Sequence, residues 1–187
     1  MKIFQNKAVS SAILYLLSFI FIAVLVEFVN FIDHHRLCDY GIYPRKLSGL
    51  TGIVASPFLH YGWEHLITNM ISLLFLGGIT AVFYPKFFLK VTLLVILLGG
   101  TGVWLIGRSA VHVGASGLIF GYFGFLISRG IYERTFSAIV ISILVIIIYG
   151  GMIYGLFPLS PYVSWEAHFC GFLAGILAAR VIKIKRA

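Results

Sequence analysis

The stretch Gly114-Ala115-Ser116-Gly117-Leu118-Ile119-Phe120-Gly121-Tyr122-Phe123-Gly124 decides the fold. Its apolar body reads as a helix over Val113–Ser128. Gly117, Gly121 and Gly124 recur at spacings of four and three, which strips one helix face of side chains. A bare face lets a second helix backbone pack close, as helices do inside membranes. The partner is legible downstream, where Ala167, Gly171 and Gly175 form another small-residue stripe. The two stripes predict intimate contact between two helices far apart in sequence.

The rest of the chain is too apolar for water. Of 187 residues, 60% are hydrophobic and only 11% charged, against about 25% charged in soluble domains. Mean hydropathy is +1.03. Ala8 to Val26, Leu66 to Tyr84 and Thr135 to Trp165 each lack a charged residue. Runs of this length can cross a hydrocarbon core of about 30 Å, which needs roughly 20 helical residues. The pattern predicts an all-α polytopic membrane protein with one domain over residues 1–187. Its six helices are expected at Ser10–Phe31, Trp63–Phe83, Phe88–Ile106, Val113–Ser128, Phe136–Gly155 and Trp165–Ile182.

Six crossings put both termini on one side. Assigning that side to the cytoplasm places ten basic residues inside. Only Arg36, Arg45, Lys46 and Arg108 are left outside, of 14 in all. This follows the positive-inside rule. The net charge of +8 is therefore spread over helix ends, with no basic face to suggest nucleic acid as a partner. Lys2 and Lys7 precede an apolar run too long for a signal core and without a small-residue cleavage site, so the first helix is expected to be retained. Cys38 and Cys170 define neither a disulfide framework nor metal-ligand spacing.

Polar residues are expensive inside a bilayer, and their default reading is functional. The second, fourth and sixth helices enter from the outside, and each carries a polar cluster near its start. His65, Ser116 and His168 therefore fall at similar depth. Ser116 by itself is an ordinary helix N-cap, but the flanking Gly114 and Gly117 are not explained by a cap. His168 by itself is an interfacial histidine. Together the hydroxyl and the imidazole form a nucleophile and base, given an approach of roughly 2.6–3.2 Å. His65 and Asn69, four apart on one helix face, offer two donors for a developing oxyanion, or a hydrogen-bonded glue between helices. No carboxylate suits the orienting role. Glu166 points to another face than His168, so a dyad is expected, with Phe120 packing on the imidazole one turn after Ser116. His60 and His112 receive no catalytic role. The long first loop, about Ile32 to Tyr61, suits the membrane interface. The apolar, proline-stiffened loop from Leu156 to Ser164 reads either as a lid over the site or as a simple turn.

His65-xxx-Asn69, Gly114-x-Ser116-Gly117 and Ala167-His168-xx-Gly171-xxx-Gly175 resemble the rhomboid family of intramembrane serine proteases. The resemblance spans about Gly41 to Arg180. Gly41-Ile42-Tyr43-Pro44-Arg45 and Pro57-Phe58-Leu59-His60 are similar to a bacterial subgroup. It implies a minimal six-helix rhomboid-like bundle in a bacterial cell membrane, with a cavity open to the outside. It implies Ser116 as nucleophile, His168 as base and acid, and His65 and Asn69 as oxyanion donors. Transmembrane proteins would be the substrates, with no cofactor or metal. The first loop departs from many relatives in lacking a Trp-Arg pair, and Phe120 stands where some have tyrosine. A non-catalytic binding relative would usually lack the serine or the histidine. A transporter would place ionisable residues near the midplane.

Overall fold

The structure, a computed structural model, describes residues 6–182. Lys2, Lys183, Lys185 and Arg186, counted above toward the inner side, lie outside the described residues. Six helical rods follow one another. The first is α1 (Lys7–Ile32), started by the Asn6 side chain accepting the Ala8 N–H at 3.1 Å. A loop carrying the one-turn helix α2 (Gly52–Ala55) leads to α3 (Trp63–Phe83). The third rod joins α4 (Phe88–Leu94) to α5 (Gly100–Ile106) through a π-helical stretch, Val95–Gly99. Then come α6 (Ser116–Glu133), α7 (Phe136–Tyr149) with a 3-10 continuation over Gly150–Leu156, and α8 (Trp165–Val181). Among the described residues there is no strand, only a single antiparallel bridge between Ile42 and His112.

Four rods are long and apolar enough to cross a membrane: Lys7–Ile32, Trp63–Phe83, Pro85–Ile106 and Phe136–Leu156. They need that character because they meet lipid. Of the other two, α6 is central, while α8 buries one face and exposes Leu173, Leu177 and Val181 on another. Every residue of α6 from Leu118 to Leu126 is buried, as expected for a helix surrounded by others. The chain is an integral membrane protein built as a helical bundle around α6.

Helices α6 and α8 touch backbone to backbone. A Cβ added at Gly171 would overlap the Gly117 carbonyl, and one at Gly175 the Gly121 carbonyl. One at Gly124 would stand 2.5 Å from the Phe172 carbonyl oxygen. Gly121 does a second job, because its bare side faces Val95 of the π-helical stretch. Polar contacts pin the bundle elsewhere. The buried Tyr122 hydroxyl on α6 lies 2.6 Å from Thr92 Oγ1 on α4. Thr92 itself donates to the Phe88 carbonyl, so the tyrosine is the donor.

Several helix ends differ from the sequence expectation, and α1 starts at Lys7 rather than Ser10 because Asn6 caps it there. The fourth helix starts at Ser116 rather than Val113, because the His112 bridge and a φ of +113° at Gly114 hold the preceding residues out of a helix. It also continues to Glu133 rather than stopping at Ser128. Arg129, expected beyond the helix, is inside it and 3% exposed. Its guanidinium pairs with Glu133 at 2.7 Å and donates to the carbonyls of Ala179 and Ile182 at the end of α8. A buried cation is tolerated there because it satisfies carbonyls that a helix C-terminus leaves unpaired. The fifth helix leaves α geometry at Gly150 rather than running to Gly155, since paired glycines weaken it there.

Candidate active site

A cavity of about 430 Å³ opens where α3, α6 and α8 begin. Ser116, His168, His65 and Asn69 all line it, so the three polar clusters meet in space. The loop from Leu156 to Ser164 overlies it, contributing Pro161, Tyr162, Val163 and Ser164 to its wall.

Ser116 is the first residue of α6 and is partly exposed to the cavity. Gly114 sits two residues before it in a left-handed conformation that other residues avoid. A Cβ there would lie 2.9 Å from His65 Nε2 and 3.8 Å from Asn69 Nδ2. The glycine is thus needed both for its turn and for the approach of these two side chains.

His168 lies in the first turn of α8 and is 9% exposed. Its ring stacks on Phe120 with centroids 4.1 Å apart and planes 9° apart. Its Nδ1 lies 2.9 Å from the Gly155 carbonyl oxygen. A carbonyl can only accept, so Nδ1 carries the proton and Nε2 keeps its lone pair. That is the tautomer a general base requires. Gly155 has no room for a side chain, since a Cβ would stand 2.8 Å from Phe120 Cζ and 3.1 Å from His168 Nδ1. The group that holds the His168 ring is therefore a backbone carbonyl. Glu166 does not serve, because its carboxylate is buried against Arg108. Among the described residues Ser116 Oγ makes no hydrogen bond, so the expected contact with the imidazole is not closed in this state. Such contacts are often long before substrate arrives.

The Tyr61 N–H donates to His65 Nδ1 at 3.4 Å, which leaves the proton on Nε2. One N–H of the Asn69 amide donates to the His65 carbonyl at 2.9 Å, and the other has no partner among the described residues. Both side chains thus present one donor beside Gly114. The Ala115 N–H, a candidate donor at the start of α6, is consumed by His60 Nε2 at 3.3 Å. Gly117 and Gly171 bring the two helices together as described, and Gly175 does so one turn deeper.

Residues 48–185 match the Rhomboid domain. The chain belongs to the rhomboid family. It is 38% identical over 176 residues to Uncharacterized protein Rv1337 of Mycobacterium tuberculosis, covering 89% of this chain and 73% of that protein. It is 36% identical to Uncharacterized protein ML1171 of Mycobacterium leprae, with 89% and 70% covered. Against RHOMBOID-like protein 5 of Arabidopsis thaliana it is 33% identical over 143 residues, which is 71% of this chain and 44% of the plant protein.

Within this rhomboid bundle, two histidines given no role by the sequence support the site, His112 in the cavity wall and His60 behind His65. His60 is fully buried and packs edge-on against His65 at 5.0 Å between centroids. Its carbonyl accepts from Asn30 of α1 at 2.9 Å, tying α1 to the site. His112 is 3% exposed and hydrogen-bonds Ser164. The shared signal was their closeness to motif residues, five before His65 and four before Ser116. Among the described residues no group of three His, Cys, Asp or Glu side chains could hold a metal ion.

Proposed function

We propose that this rhomboid is a serine endopeptidase that hydrolyses peptide bonds in or near transmembrane segments of other membrane proteins. The observation that carries the reading is the single cavity lined by Ser116, His168, His65 and Asn69, with the His168 imidazole held as the tautomer a base needs. Ser116 Oγ attacks the scissile carbonyl carbon while its proton passes to His168 Nε2. The carbonyl π bond opens, and the negative oxygen takes hydrogen bonds from His65 Nε2–H and the free Asn69 N–H. The N–H groups at the start of α6 add a partial positive charge. The intermediate collapses, the C–N bond breaks, and His168 returns its proton to the leaving amine. Water then attacks the acyl carbon as His168 Nε2 takes its proton, the acyl C–Oγ bond breaks, and His168 returns the proton to Ser116 Oγ, which releases the acid product.

None of these steps calls for a metal or cofactor. The charge asymmetry supports both termini in the cytoplasm, with the cavity open to the outer side of a bacterial cell membrane. The test is cleavage of a single-span substrate in vesicles. Ser116→Ala is expected to abolish it, and undiminished cleavage would defeat the reading.

A further inference from the structure

The segment joining α5 to α6 carries two side chains that the reaction above does not use, Arg108 and His112. Both reach across to the start of α8. Ser164 caps that helix, its Oγ accepting the Ala167 N–H at 3.2 Å. Its hydroxyl proton is thereby free to be donated, and His112 Nδ1 lies 2.6 Å away to receive it. His112 Nε2 then carries the ring proton and donates it to the Arg108 carbonyl at 3.1 Å. Arg108 closes the circuit from its other groups. Its N–H donates to Glu166 Oε1 at 3.2 Å, its Nε stands 3.7 Å from the same oxygen, and its Nη2 donates to the Val163 carbonyl at 2.7 Å.

We infer that Arg108 and His112 are positioning residues, which hold the His168 imidazole in register by clasping Val163, Ser164 and Glu166 to the segment leading into Ser116. The inference rests on the proposed hydrolase reading and deepens it. A helix cap alone needs only Ser164 and its own backbone. Here the cap and the buried Glu166, four and two residues before His168, are instead tied to the segment that delivers the nucleophile. The nucleophile and its base thus share one frame, although 52 residues separate His112 from Ser164. The clasp also divides the overlying loop. Leu159 and Tyr162, outside the clasp, are 71% and 96% exposed.

The test uses the purified full chain in detergent, with Ser164→Ala, Ser164→Thr, His112→Phe and the double variant S164A/H112F. Three quantities are read: kcat and KM on a single-span substrate, the rate at which a fluorophosphonate labels Ser116, and Tm. Misplacement of about 1 Å costs up to 10²-fold in rate, so a partial loosening of His168 is expected to lower kcat about tenfold. KM is expected to hold, and labelling to slow by the same factor as kcat. Ser164→Thr, which keeps the hydroxyl, is expected to restore most of the rate. The double variant is expected to be no slower than the slower single variant, because the pair acts as a unit. The inference is overturned if Tm falls while kcat and labelling hold, or if the two losses multiply. Should His112→Phe fail to fold, the Ala and Thr variants of Ser164 decide the matter. A wild-type chain that neither cleaves nor labels would overturn the hydrolase reading itself, and this inference with it.

Discussion

Gly114→Ala is the sharpest single perturbation of the site. The φ of +113° there lies in a region closed to residues with a side chain. Forcing one into it costs about 1–3 kcal/mol. The new methyl would also stand 2.9 Å from His65 Nε2 and Cε1, about half an ångström inside ordinary van der Waals contact. The imidazole has to give way, and its Nε2–H is the donor proposed for the oxyanion. Loss of one such donor costs about 10²–10³ in kcat. The expected result is a fall in turnover of about 10²-fold with modest destabilisation, measured on a single-span substrate and by Tm. Gly78→Ala on α3 is the control, since nothing lies within 4 Å of a Cβ there. That change is expected to stabilise the helix by about 0.5–1 kcal/mol without altering turnover. Full activity in the Gly114→Ala variant would refute the argument that His65 is held where the glycine leaves room.

Other perturbations test separate parts of the account. Gly155→Ala drives a methyl against Phe120 and His168 Nδ1, and is expected to slow Ser116 labelling about tenfold as the base is displaced. Phe120→Ala removes a stacked ring worth about 0.5–1.5 kcal/mol beyond its burial; kcat should fall while Phe120→Tyr keeps it. Arg129→Ala leaves Glu133 and two α8 carbonyls without their partner, and is expected to destabilise by about 3–5 kcal/mol in denaturant titration. Burial lowers the His60 pKa from 6.5 to about 3. The unfolded chain takes up a proton below pH 6.5 and the folded chain does not until about pH 3, so stability falls as pH drops through that window. His60→Gln should flatten the pH dependence of Tm there; an unchanged slope would contradict it.

Much of this architecture was legible because it is periodic. The α3 bounds Trp63–Phe83 agree with the expectation drawn from the uncharged apolar run Leu66 to Tyr84. The glycine stripes of α6 and α8 announced a contact that steric exclusion enforces, since no other residue fits at Gly171 or Gly175. Phe120 was legible as a neighbour of His168 by helical spacing from Ser116. The rest depends on tertiary contact. Any residue supplies a carbonyl, so nothing in the letters marks Gly155 as the group that orients His168. His60 and His112 carry no periodic signature, and only the fold reveals one as a frame for His65 and the other as a clasp on Ser164. Arg129 looked like an ordinary loop charge because the carbonyls that receive it lie 50 and 53 residues away. Gly114 stands out in the sequence as a residue a cap does not explain, but the reason for it needs the position of the His65 ring.

The central claim is that the Ser116 hydroxyl and the His168 imidazole work as a reactive couple in one cavity. Fluorophosphonate treatment of the wild-type chain, followed by mass mapping, tests it most directly. The account predicts a single adduct on Ser116, absent in Ser116→Ala and strongly slowed in His168→Ala. No adduct, an adduct on another residue, or labelling indifferent to His168 would contradict it.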